Sequence, residues 1–315
     1  MPTNLARMDI RMKQLLVTGL SGFVGRHLQA CLTQGSQTDW QLLQSGRAEL
    51  LQPDSLDSML APQCPHAVIH LAGQTFVPES FRDPAQTLQV NLIGTLNLLQ
   101  ALKRRGFAGT FLYVSSGDVY GQVAEHALPI DETLAPQPRN PYAVSKAAAE
   151  LLCRQWSHVE PWRIVVARSF NHIGPGQGES FVVSNMARQI ARVRLGLQPP
   201  CLEVGDIDVT RDFLDVQDVI AAYLLLLHKG RNGEIYNLCS GRERSVRELI
   251  VEMAGLAEVN VELVQDPARM RRAEQRRVMG SSDKLQRETG WKPAVNITET
   301  LRRVLSDWDA RERPR

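Results

Sequence analysis

Short apolar runs alternate with longer stretches of helical spacing through the first half of the chain. Leu15-Leu16-Val17, residues 41–44, residues 67–71, residues 111–114 and residues 164–166 are brief, partly β-branched and bounded by Gly, Pro, Ser or Asp. Runs of that kind predict strands buried on both faces. Between two of them, residues 84–105 carry Leu88, Leu92, Leu96 and Leu99 at helical spacing, which predicts one helix. Strand–helix–strand alternation predicts an α/β fold of the Rossmann-like, doubly wound type, with a parallel sheet and right-handed crossovers.

After about residue 170 the pattern changes. Gly and Pro cluster in residues 171–178, and helical stretches follow at 180–195, 246–256, 282–289 and 298–308. The expected organisation is an NAD(P)-binding domain over 12–170, completed by about 213–240. A smaller C-terminal α/β substrate-binding domain is expected over 171–212 and 241–315, lying over the open end of the sheet.

Composition narrows the function classes without choosing among them. The 315 residues are 43% hydrophobic and 22% charged, ordinary for a globular chain with a sizeable core. A net charge of +2 gives no reason to expect nucleic acid or membrane. No apolar run approaches the roughly 18 residues of a spanning helix. Residues 1–13 lack the apolar stretch of a secretion signal and read as a polar leader, with Met8 and Met12 as alternative starts. The five cysteines, Cys31, Cys64, Cys153, Cys201 and Cys239, are odd in number and widely spaced, which predicts buried thiols in a reducing cytoplasm. No histidine has ligand-like spacing, so no metal site is expected.

The first candidate chemistry is Gly19-Leu20-Ser21-Gly22-Phe23-Val24-Gly25, directly after the first apolar run and leading into a helix. Glycines at this spacing permit a tight turn and close approach of backbone to a pyrophosphate, which sits at the positive helix N-terminus. The second strand is expected to end near Gln44-Ser45. An NAD-strict site usually has a carboxylate there; this chain has neutral residues followed by Arg47. An arginine accepts a 2′-phosphate, which favours NADPH with NADH tolerated; a solvated loop charge is the other reading of Arg47.

Tyr142 and Lys146 stand four apart on a predicted helix and point the same way. A lysine beside a phenol favours phenolate, so the phenol pKa is expected to fall from about 10 toward working pH. Ser116 ends an apolar strand, at the edge of an open sheet where ligands bind. A serine there can hold a reacting oxygen that Tyr142 protonates.

With these motifs in order, the chain resembles the extended short-chain dehydrogenase/reductase family over essentially its whole length. Gly19, Gly22, Phe23, Val24 and Gly25 fall on that family's cofactor loop, and His70-Leu71-Ala72-Gly73 on a strand-end motif. Asn91, Gly94-Thr95 and Asn97-Leu98-Leu99 fall on the helix before the catalytic strand. The resemblance implies Ser116, Tyr142 and Lys146 as the catalytic set, with Asp118 beside them. It implies cofactor contacts at Leu71, Ala72, Gly73 and Asn91 as well. Glu49-Leu50 stands where the family usually has Asp-Leu near the adenine.

The second half is similar to the branch acting on GDP-linked sugars. Residues 171–177 resemble a loop contacting sugar and diphosphate, through Asn171. Residues 180–191 resemble the helix around the guanine, with Val182 and Arg188. Residues 204–206 and 210–216 resemble a strand pair supplying a nucleotide-binding Arg211, and residues 266–269 a diphosphate clamp through Arg269. Arg271, Arg272, Arg276 and Arg277, mixed with Glu274, extend that clamp as solvated charge.

The resemblance thus implies NADPH-dependent reduction of the 4-keto group of a GDP-linked 4-keto-6-deoxymannose, giving GDP-linked 6-deoxymannose (GDP-D-rhamnose). A dehydratase of GDP-mannose and a nucleotide-sugar 4-epimerase are the alternatives. Dehydratases of the family generally carry a Glu where Gly117-Asp118 stand, so the site fits the smaller needs of ketone reduction. A homodimer through helices around 84–105 and 141–157 is also implied.

Overall fold

The computed structural model describes residues 12–34, 39–46, 48–61, 63–269 and 275–313, with the Arg269 side chain excepted. The leader at 1–11, Arg47 and the run from Met270 to Glu274 lie outside the described residues.

The chain starts with β1 (Lys13–Thr18), α1 (Phe23–Thr33), β2 (Trp40–Leu42), α2 (Pro53–Leu60) and β3 (Ala67–His70). Next come α3 (Val77–Arg82), α4 (Pro84–Leu88), a π-helical turn at Gln89–Ile93, and α5 (Gly94–Arg104). Then follow β4 (Thr110–Ser116), α6 (Pro141–Val159), β5 (Arg163–Ser169) and β6 (Asn171–Ile173). The remainder comprises α7 (Val182–Arg194), β7 (Cys201–Val204), β8 (Thr210–Asp215), α8 (Val216–Lys229) and β9 (Ile235–Leu238). It closes with β10 (Glu243–Ser245), α9 (Val246–Leu256), β11 (Glu262–Gln265), α10 (Asp283–Thr289) and α11 (Ile297–Glu312).

Six strands form one parallel sheet in the order β2-β1-β3-β4-β5-β9. Alternate residues of each strand feed opposite layers. Leu15, Val17, Ile69, Leu112 and Val165 pack with α1 and α8 residues such as Leu28 and Tyr223. Leu16, Val68, Phe111, Ile164 and Val166 pack with α2, α5 and α6 residues such as Leu56, Leu98 and Cys153. Burial on both faces is why these strands read as continuous apolar runs. The strand order reverses between β1 and β3, so a crevice opens there at the carboxyl ends of the strands.

A further core, joining α7, α9 and α11 with β7, stands apart from these layers and includes Ile190, Leu202, Leu249, Met253 and Leu301. Among the described residues no helix is long and apolar enough to cross a membrane, and all five cysteines are free thiols.

Three local expectations are corrected. The second strand ends at Leu42, short of Gln44-Ser45. The helix over 84–105 is broken by the π turn, which displaces the leucine stripe. Thr87, Asn91, Leu98 and Leu99 are buried, while Leu88, Leu92 and Leu96 are half-buried. The strands at 201–204 and 210–215 are not partners: β7 pairs with β11, and β8 lies between β10 and β6.

Candidate active site

The glycine loop is shaped by close backbone approach. Gly19 has φ 79°, and a Cβ there would lie 2.8 Å from the Ala72 nitrogen. A Cβ on Gly25 would lie 2.3 Å from the Gly19 carbonyl oxygen, so only glycine lets α1 pack on this turn. Gly22 caps α1 without a side-chain hydrogen bond, and the first turn of α1 has no acidic residue. The uncompensated N-terminus, lined by Ser21, Phe23 and Val24, faces a cleft of about 2400 Å³. Glu49, Leu50, Leu71, Ala72 and Gly73 line the same cleft. Its volume exceeds twice the roughly 1,000 Å³ of a large single-ligand pocket. A dinucleotide therefore fits with room for a second nucleotide.

Behind the cleft a directed chain of buried hydrogen bonds joins the β3 edge to α6. Thr95 Oγ1 donates to the Asn91 carbonyl (2.6 Å) and lies 3.0 Å from His70 Nε2, so Nε2 carries the proton and donates to it. His70 Nδ1 then accepts from Thr18 Oγ1 (2.7 Å), which itself accepts from the Ala72 N–H (3.2 Å). Burial, with the Lys146 charge nearby, lowers the His70 pKa to about 3, keeping the ring neutral. Asn91 accepts from the Gln74 N–H (2.8 Å) and donates to Ser145 Oγ (2.9 Å), which donates to the Tyr142 carbonyl (2.7 Å). Asn91 is thus a buried brace directly behind the cleft residue Gly73, where a Cβ would lie 2.8 Å from its Oδ1.

α6 starts with an Asn140 cap, whose Oδ1 accepts from the Ala143 N–H (2.7 Å), and with Pro141 in its first turn. This start places Tyr142 at the cleft, beside Ser116 at the end of β4. Burial, the Asp118 carboxylate and Tyr223 raise the Tyr142 pKa, and the hydrogen bond from Ser116 opposes them. The expected downward shift is corrected: Lys146 Nζ donates to the Val114 carbonyl (2.8 Å) and sits 5.0 Å from the Tyr113 ring centroid. Tyr142 therefore holds its proton at neutral pH. Burial lowers the Lys146 pKa to about 8, against the opposing pull of Glu150. Glu150 is itself buried in a paired contact with Arg168 (Nη2–Oε2 2.7 Å, Nε–Oε1 3.0 Å). Asp118 is exposed and lines the cleft, its N–H donating to Ser116 Oγ (3.2 Å).

Across the cleft lie Asn171, Val182 and Arg211. Arg211 Nη1 donates to the carbonyls of Thr210 (2.7 Å) and Gln275 (3.0 Å). Arg188 is ion-paired to Glu179 and to Glu312 (2.6 Å) and lies over the Trp308 ring. Its charge joins α7 to α11. The Arg47 contact and the Arg269 side chain fall outside what the structure describes. Sequence reasoning missed Tyr223, a cleft residue whose hydroxyl is 2.8 Å from Ser169 Oγ. It precedes an apolar leucine run, and nothing local separates it from core.

A family model described as GDP-mannose 4,6 dehydratase matches residues 38–304. The chain belongs to this family. Its members share the α/β architecture seen here. The GDP-6-deoxy-D-mannose reductase of Pseudomonas aeruginosa is 66% identical over 302 residues, covering 96% of this chain and 99% of that one. The solved structure of RMD from Pseudomonas aeruginosa complexed with NADPH superposes with a TM-score of 0.92 at 64% identity, covering 95% and 99% of the two chains. A GDP-6-deoxy-D-talose 4-dehydrogenase of Aggregatibacter actinomycetemcomitans is 30% identical, covering 86% of this chain and 90% of that one.

Proposed function

We propose that this family member reduces the 4-keto group of GDP-4-keto-6-deoxy-D-mannose to GDP-6-deoxy-D-mannose, using NADPH. The observation that carries the reading is geometric: Tyr142, a buried phenol, lines the cleft together with Ser116 at the end of β4 and with the glycine loop. The 66% identity to a reductase of that name supports the substrate. The glycine cradle, the open α1 N-terminus and Leu71 to Gly73 hold the dinucleotide, with Glu49 and Leu50 toward its adenine end. When bound, NADPH supplies the hydride. Tyr142 delivers the proton to the C4 oxygen and Ser116 holds that oxygen, while Lys146, held by the Val114 carbonyl, brings positive charge to the same cleft. Asn171, Val182 and Arg211 hold the sugar nucleotide, joined by Arg269.

The reading divides the chain into a dinucleotide domain over 12–170, completed by 213–240, and a substrate domain made of 171–212 and 241–315. Two copies pair through α5 and α6, and the enzyme works in the cytoplasm, where its five free thiols stay reduced. A second reading, dehydration of GDP-mannose, is favoured by Asp118, a carboxylate at the cleft beside Tyr142. Incubation with NADPH and GDP-4-keto-6-deoxymannose, followed by NADPH absorbance, tests the reductase; GDP-mannose with NADP is the parallel arm. NADPH loss only with the keto sugar is the expected result. A keto sugar formed from GDP-mannose would instead give Asp118 the role of base.

A further inference from the structure

Arg26 and His27 lie in α1, next to the glycine loop, but their side chains reach a loop about 150 residues away in sequence. Arg26 Nη1 donates to the Ser21 carbonyl (2.6 Å) and Nη2 to the Gly176 carbonyl (2.9 Å). The Pro175 carbonyl can only accept, so His27 Nε2, at 2.6 Å, carries its proton and donates to it. The far loop is fixed from the other side as well. The Gly176 N–H donates to Asp307 Oδ2 on α11 (2.8 Å), and the same oxygen takes Arg311 (2.8 Å). Gly176 has φ 86°, a left-handed backbone that presents its carbonyl to α1 and its N–H to α11. Ser21, Arg26 and Gly176 all line the one cleft.

One guanidinium fork thus spans two carbonyls, one in the glycine loop and one in the 174–178 loop. The planar fork of arginine can do this; a lysine ammonium, a single point charge, cannot hold both in that geometry. Ordering either loop fixes the position of Arg26 and so removes part of the ordering cost of the other loop. We infer that Arg26, with His27, is a positioning residue that couples the dinucleotide loop to the 174–178 loop, so that cofactor and sugar nucleotide bind cooperatively. The inference rests on the dinucleotide site of the proposed function and on the loop over 171–177, beside Asn171, as part of its sugar-nucleotide site. Arg26 acts through the two carbonyls and not on the reacting atoms.

The test is calorimetric titration of the full chain with NADPH, alone and in saturating GDP-mannose, which has no keto group to reduce. Wild-type protein is expected to bind NADPH at least about fivefold more tightly with GDP-mannose present, the lower end of usual coupling. In Arg26→Ala and Arg26→Lys that ratio falls to within about twofold of unity. His27→Ala gives an intermediate value. Arg26→Lys keeps the charge but not the fork, and because the readout is a ratio within each variant, a change in its NADPH affinity alone leaves the test intact. If Arg26→Ala does not fold, Arg26→Lys carries the test alone. A wild-type ratio of one, or a ratio unchanged in Arg26→Lys, overturns the coupling while leaving both ligands bound. Failure of the wild-type protein to bind NADPH is a different result: it removes the proposed function, and the coupling with it, whereas NADPH binding without any GDP-mannose binding overturns the coupling alone.

Discussion

At the residue scale the proposed chemistry turns on two groups whose pKa values move in opposite directions. Tyr142 is raised by burial and Asp118, so it stays a proton donor through the neutral range. Lys146 is lowered by burial to about 8, so it is charged below that pH and loses its charge above it. In a reduction the tyrosine therefore contributes no limb near neutrality. The alkaline limb belongs to the lysine: kcat/KM is expected to fall above a pH of about 8. Lys146→Arg, which stays charged, should remove that limb at a lower overall rate; a limb unmoved in this variant would assign it elsewhere. Tyr142→Phe should lower kcat by about 10²–10⁴, the usual worth of a general acid, while calorimetry finds NADPH affinity nearly intact. Full turnover in the phenylalanine variant would take the donor role from Tyr142. That Ser116, Tyr142 and Lys146 line one cleft was legible because local chemistry announces it: a serine at a strand end, and a tyrosine and lysine one helical turn apart. The direction of the phenol shift was not, because it depends on where Lys146 Nζ points, and that is set by the Val114 carbonyl on a different strand.

At the scale of elements, α6 is joined to β5 by the pair of Glu150 and Arg168, with side chains only 3% and 2% exposed. Arg168 also lies over the Tyr120 ring at 4.6 Å. Glu150→Ala leaves a guanidinium buried without its carboxylate, a change worth about 3–5 kcal/mol. Urea unfolding should read that loss, and a change below 1 kcal/mol, typical of exposed pairs, would show the pair to be solvated. Five of the six sheet strands, and helices such as α7, α9 and α11, were legible from their pattern; β9, a four-residue strand at the sheet edge, was not. The π turn was not. Its neighbourhood is held by tertiary contacts: Asn91 is bonded to Gln74 and Ser145, and Gly94 packs against Leu50 closely enough that a Cβ would lie 2.9 Å away. The partners of β7 and β8 were illegible for a related reason. Neighbours in sequence, the two strands find their pairs in β11 and β10, which arrive later in the chain.

At the scale of the whole molecule, α6 keeps apolar side chains on its outer surface: Val144, Leu151 and Val159 are 43%, 66% and 64% exposed. Ile93, at the end of the π turn, is 43% exposed. Burial of such residues against a second copy is favourable by roughly 25 cal/mol per Å². Leu151→Glu should convert the proposed dimer to monomer in sedimentation velocity; a wild-type profile in that variant would move the interface off this face. The anchoring of Gly176 by Asp307 has a consequence in time as well as in space. A growing chain releases the residues of the glycine loop, β3 and β4 early, and completes the six-stranded sheet once β9 has emerged at residue 238. Residues 174–178 are by then made, yet their second support arrives almost 130 residues after them, with α11. Synthesis proceeds from the N-terminus, and early segments fold as units. The half of the cleft that carries the glycine loop therefore matures first, and the far loop settles only once α11 has emerged.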